Sequence, residues 1–182
     1  MDWYAVKKEY IDYLKQFDDN VGDNDYGDHL KLYLGILLSV DGINYYVPIS
    51  SPKPKHNRMS NQDDFYKVED PVTKELYAVL NLNNMIPVPD TAINQITYGN
   101  IQNYRAFKTE KEKSDYIYLL QKEKAIIDAL EKNSILTNKA KKLYNKCEKN
   151  PTSNLAKRCC KFKLLKEKSE VWAPKLPPKG SD

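Results

Sequence analysis

Histidine and cysteine are scarce in this 182-residue chain: two histidines, His29 and His56, and three cysteines, Cys147, Cys159 and Cys160. An odd cysteine count with two members adjacent makes a poor disulfide framework. No Cys-x-x-Cys spacing or neighbouring histidine completes a zinc site. The three thiols therefore read as small packed residues in a reducing compartment. No compact Asp/Glu/His cluster resembles a two-metal nuclease site, so the expectation for metal is none. Long apolar runs are missing too. Nothing approaches the roughly 18–20 residues that cross a bilayer, and the opening MDWYAVKKEY has no signal-peptide apolar region. A cytoplasmic protein with no membrane partner is expected.

What is present suits one domain. A hydrophobic fraction of 41% over this length can bury a single core. The net charge of +4 hides an asymmetry: residues 1–104 carry 9 Lys and Arg against 15 Asp and Glu, whereas residues 105–182 carry 20 against 10. A basic half is suited to a polyanionic partner, although solvated helix faces would give the same count. Fourteen tyrosines stand beside only four phenylalanines. Exposed aromatic rings stack on unpaired bases, though many of these tyrosines must serve the core.

The first half reads mainly as strands and turns. Trp3–Val6 suits an opening strand, and between Lys7 and Phe17 the positions Tyr10, Tyr13, Leu14 and Phe17 recur at helical spacing. A polar loop follows from Asp18 to Asp28. Leu32–Leu38 and Ile43–Val47 flank Asp41-Gly42, a hairpin turn pair. Further strands are expected at Phe65–Val68 and Leu76–Leu82, and the prolines of Met85–Pro89 mark an edge or an exit from the sheet. From Ile101 to Trp172 the sequence reads as helices, broken near Asn133-Ser134, where Ser134 could cap a new helix, and at Asn150-Pro151. The domain is expected to span 1–172, with a proline-rich disordered tail over 173–182. Strands followed by helices predict an α+β fold with an antiparallel sheet.

One segment gathers chemistry. Ser50-Ser51-Pro52-Lys53-Pro54-Lys55-His56-Asn57-Arg58 follows an apolar strand, and its prolines stiffen the loop. It offers hydroxyls, cations, an imidazole and an amide where a sheet ends, which suits phosphate binding and proton transfer as well as it suits an ordinary basic loop. RNA cleavage needs little more. The 2′-OH attacks the adjacent phosphate, leaving a 2′,3′-cyclic phosphate and a 5′-OH. The protein moves two protons and stabilises charge on the phosphorane.

Several stretches carry a resemblance. Glu9–Val21 (EYIDYLKQFDDNV) resembles the KYIxYLxxFDxxV signature of the ToxN/AbiQ toxins, and Lys31–Ile36 is similar to their strand ending in Gly-Ile. Tyr46–Lys53 with His56-Asn57, Leu80–Val88, and Cys160–Lys168 are similar to three further family segments, in the same order and at nearly the same spacing. Length and Ser51 fit the AbiQ branch.

The resemblance implies a strongly twisted antiparallel sheet related to the MazF/Kid-like toxin fold, with a helical C-terminal half. It implies a metal-independent, sequence-selective endoribonuclease that acts in phage abortive infection on cellular or phage RNA. A repeat RNA antitoxin would inhibit it, be processed by it, and join it in an oligomeric protein–RNA assembly. By position, Ser51 matches the principal catalytic serine, Ser50 the hydroxyl beside it, Lys53 and Lys31 the active-site lysines, and Tyr10 an active-site tyrosine. Lys55, His56, Asn57 and Arg58 are the expected RNA-binding residues. Pro54-Lys55 departs from the family pattern, which puts the reach of Lys55 in doubt. Two other readings share these features: a non-catalytic RNA-binding module, and a MazF-like ribonuclease paired with a protein antitoxin.

Overall fold

A computed structural model describes residues 1–173. The expected disordered tail lies, apart from Ala173, outside the described residues.

The elements are β1 (Asp2–Val6), α1 (Lys8–Leu14), β2 (Tyr33–Val40), β3 (Ile43–Ser50), β4 (Tyr66–Glu69), β5 (Leu76–Leu80), β6 (Ile86–Pro87), β7 (Ile93–Ile96), α2 (Glu110–Glu131), α3 (Ile135–Lys149), α4 (Asn154–Lys157) and α5 (Phe162–Glu170). The expected α+β architecture is present. Seven strands form one antiparallel sheet in the order β4-β5-β3-β2-β1-β7, with β6 joined to β3 off that path. The long helices all lie in the C-terminal half.

The β2–β3 hairpin is the centre of the sheet. Val40 pairs with Ile43 across Asp41-Gly42, and both turn residues have positive φ (50° and 82°), as this two-residue turn demands. Gly35 in β2 answers a different constraint. A Cβ there would sit 2.1 Å from the Tyr46 ring, so only glycine lets β2 and Tyr46 approach this closely.

The helices close the core. α2 packs on β4 and β5, α3 on β2, and α5 on β6 and β3. Thr109 caps α2, its hydroxyl accepting from the Glu112 N–H at 3.1 Å. Cys147, Cys159 and Cys160 are free and buried within the same core as Leu143 and Leu165.

Three expectations need correction. The edge strand β7 has no counterpart in the sequence reading, because Asn94 and Gln95 interrupt the apolar alternation between Ile93 and Ile96. The helical region begins only at Glu110, since Ile101–Asn103 forms a single 3₁₀ turn. Ser134 does precede a helix, but it is left-handed (φ 53°) and its side chain makes no capping bond.

Candidate active site

Ser50 ends β3 beside β5, where the two strands pair Ile49 with Leu80 and Ser50 with Val79. This fixes the Ser50 hydroxyl at the sheet's margin. Lys31, just ahead of β2, donates to Ser50 Oγ at 2.6 Å, and Asn81, just past β5, donates to the same oxygen at 3.0 Å. A hydroxyl oxygen has two lone pairs and one proton. With both lone pairs engaged, the Ser50 O–H is left to act as a donor. All three residues are half-buried.

Lys31 has a depressed pKa, first because its ammonium is largely removed from water and second because the Lys53 charge is nearby. Such a lysine releases its proton more readily than an exposed one, while still meeting an anion as a cation. Lys31 also lies 5.9 Å from the centroid of the Tyr26 ring, which is 51% exposed and stacked on His29 at 5.1 Å. An exposed aromatic ring beside a cation suits contact with an unpaired base.

The loop after Ser50 is shaped by His56. Its Nδ1 accepts the Lys53 N–H at 2.9 Å, the Lys53 carbonyl accepts the His56 N–H at 2.8 Å, and Pro54–Asn57 forms a 3₁₀ turn. The His56 ring is only 7% exposed and packs on Phe65 at 5.3 Å. Burial, then the Lys55 and Lys53 charges, lower its pKa. His56 therefore serves the turn that holds Ser51 and Lys53, and its ring does not face solvent as an RNA contact would. Ser51, Lys53, Lys55, Asn57 and Arg58 are exposed on that turn.

Of the residues expected from sequence, the structure gathers Lys31, Ser50, Ser51 and Lys53 and leaves Tyr10 apart. Tyr10 is fully buried on α1, its hydroxyl donates to the Pro87 carbonyl at 2.7 Å, and its ring meets Trp172 edge-on at 5.0 Å. Pro87 pairs with Tyr45, toward the other end of β3 from Ser50. In this conformation no phosphate can reach the Tyr10 hydroxyl.

Several residues went unassigned in the sequence. Tyr26 and Asn81 adjoin Lys31 and Ser50, as above. Arg105, Tyr116 and Glu123 line a cavity together with Lys31, Ser50 and Ser51. Glu123 left a trace in the sequence: with Tyr116, Leu120 and Ile127 it repeats at helical spacing, a carboxylate on the inward face of α2.

Residues 2–170 match the family model described as toxin ToxN of type III toxin–antitoxin systems. The chain is 33% identical over 107 residues to endoribonuclease ToxN of Pectobacterium atrosepticum, a match covering 57% of this chain and 63% of that one. It is 29% identical to endoribonuclease ToxN of Bacillus thuringiensis subsp. kurstaki, covering 99% and 88% of the two chains. Identity is 28% to endoribonuclease AbiQ of Lactococcus lactis subsp. lactis, covering 95% and 90%. A solved structure from work on a processed non-coding RNA that regulates a bacterial antiviral system superposes with a TM-score of 0.79 at 26% identity, covering 96% of this chain and 100% of that one. With a family match running from β1 through α5, the chain belongs to the ToxN family of type III toxin–antitoxin toxins.

Proposed function

We propose that this protein is an endoribonuclease toxin that cleaves RNA by attack of the 2′-OH on the adjacent phosphate, giving 2′,3′-cyclic phosphate and 5′-OH ends. The observation that carries this reading is the Lys31–Ser50–Asn81 hydrogen-bond network at the base of the Ser51–Lys53 turn. Ser50 and Ser51 supply hydroxyl donors to the phosphate oxygens, and Lys53 supplies a fixed cation on the exposed side. Lys31, already inclined to give up its proton, exchanges protons with the reacting oxygens. Such groups together account for several orders of magnitude in rate. These side chains complete the chemistry without calling on a bound metal.

The antitoxin in this reading is a repeat RNA. Support comes from the type III family description and from the processed non-coding RNA of the structural neighbour. Exposed Lys55 and Arg58 and the lysine-rich α3 would meet its backbone, and the toxin and RNA would assemble into an oligomeric particle.

The test is to incubate wild-type protein and Ser51→Ala with mixed RNA in EDTA and map the product ends. Cyclic-phosphate ends from the wild type, with cleavage lost or greatly reduced in the variant, support the reading. RNA binding by both proteins with cleavage by neither, even after divalent metal is added, would instead favour a non-catalytic binding module.

A further inference from the structure

We infer that the cavity between the Ser50–Ser51 strand end and α2 is a pocket for one nucleobase of the RNA substrate, whose hydrogen-bonding edge is read by Glu123. This rests on the cleavage reading above and identifies what lies beside the scissile phosphate.

The cavity has a volume of about 210 Å³. That is smaller than the roughly 300–1,000 Å³ of sites for larger ligands, and suited to one planar ring. Lys31, Ser50 and Ser51 line it together with Arg105, Tyr116 and Glu123. A base entering here would keep its own phosphate within reach of the two serines.

Two polar side chains at this cavity stand out. Glu123 is 5% exposed, lines the cavity, and has its pKa moved by removal from water alone. The Arg105 Nε–H is buried and unpartnered among the described residues, while its guanidinium lies over the Tyr116 ring, 4.5 Å from the centroid. Buried polar groups without partners are costly. A carboxyl so far removed from water on a cavity wall is accounted for by a ligand that bonds to it, and an apolar residue at position 123 would otherwise serve α2 better.

Removal from water raises the Glu123 pKa to about 8, so near neutrality the empty pocket holds a neutral acid. A neutral carboxylic acid offers an O–H donor beside a C=O acceptor. Adenine and cytosine present a ring-nitrogen lone pair beside an amino N–H, and only the neutral acid satisfies both. An ionised carboxylate instead matches the paired N–H donors of guanine. The preference at this one position therefore turns toward guanine as pH rises through about 8. Other charged or titratable groups facing the cavity are Lys31 and His29 ahead of β2, Arg105 ahead of α2, and Tyr116 on α2 itself. Because they are unchanged in Glu123 variants, those variants isolate the effect of Glu123.

The experiment uses full-length wild type, Glu123→Gln and Glu123→Ala on a random-sequence RNA pool, with cleavage positions sequenced at pH 6.5 and pH 9. For the wild type, discrimination between adenine or cytosine and guanine at one position should change by roughly fivefold or more, the low end for one bidentate base contact. Glutamine keeps a donor beside an acceptor at every pH, so Glu123→Gln should retain the pH 6.5 preference and lose the pH shift. Glu123→Ala should still cut, with that position's preference flattened. The inference is overturned if Glu123→Ala keeps the wild-type preference, or if Glu123→Gln shifts with pH as the wild type does. Should Glu123→Ala fail to fold, the Glu123→Gln comparison decides alone. A wild type that cuts no RNA overturns the parent reading and this one with it, whereas cutting with an unaltered preference removes this one only.

Discussion

Lys31 Nζ donates a 2.6 Å hydrogen bond to Ser50 Oγ, tying the segment ahead of β2 to the last residue of β3. Lys31→Ala should lower the cleavage rate by about 10²–10⁴-fold, as for loss of a proton-transfer group. The ordinary lysine value is 10.5, and burial with the Lys53 charge moves Lys31 below it. As pH rises, Lys31 loses its charge before an exposed lysine would, so the rate should fall on an alkaline limb centred below 10.5. Lys31→Arg, charged throughout, should lose that limb. A pH–rate profile of the two proteins checks this.

The Tyr10 hydroxyl donates to the Pro87 carbonyl inside the core. Tyr10→Phe removes the donor and leaves that carbonyl unpaired, which costs about 1–3 kcal/mol. The expected result is a lower denaturation midpoint with cleavage per folded molecule unchanged. A loss of rate in protein that remains fully folded would return Tyr10 to the active site.

Glu123 also sets a pH dependence of stability. Its pKa is raised from 4.5 to about 8 in the folded chain, so between those values the folded state keeps a proton that the unfolded state has released. The contribution is fully present below about 4.5 and is lost as pH rises through 8, at up to about 1.4 kcal/mol per pH unit. Glu123→Gln has no proton to lose. Denaturation at pH 5 and at pH 8 should show the variant gaining on the wild type at the higher pH. Equal pH dependence in the two proteins would mean that the carboxyl is already ionised in the fold.

Gly35→Ala places a methyl group against the Tyr46 ring. Overpacking of this kind costs about 1–3 kcal/mol, here at the sheet's central hairpin. Circular dichroism melting should show the drop, and replacing Tyr46 with a smaller apolar residue in the same chain should recover part of it.

The hairpin was legible from the sequence because local chemistry alone fixes it: two apolar runs around Asp41-Gly42 leave the chain one compact solution. The Ser50–Lys53 loop was legible as a loop, because its prolines follow an apolar strand, but its local chemistry suited an ordinary basic loop equally and only the family resemblance singled out Ser51 and Lys53. Tyr10 sent a mixed signal. It lies in a recognisable segment and also on the helix's apolar face, and in the fold the apolar face prevails. The cavity wall could not be read off in advance, because bringing Arg105 and Glu123 beside Ser50 depends on how α2 packs across β4 and β5. His56 shows the converse: its place in a chemically rich loop says nothing of its orientation, which the Lys53 N–H sets.

β1 lies between β2 and β7, the second and the last of the strands in chain order, and α2 comes later still. On a ribosome adding roughly 5–20 residues per second, the two serines therefore emerge several seconds before the helix that walls their cavity. β1 likewise waits for residue 96 before both its edges are paired. A nascent chain thus carries the Ser50–Lys53 loop before it has a finished cavity, and a translation arrest before α2 would release a fragment lacking that wall. If the cavity takes part in cleavage as proposed, order of synthesis would itself delay the onset of activity.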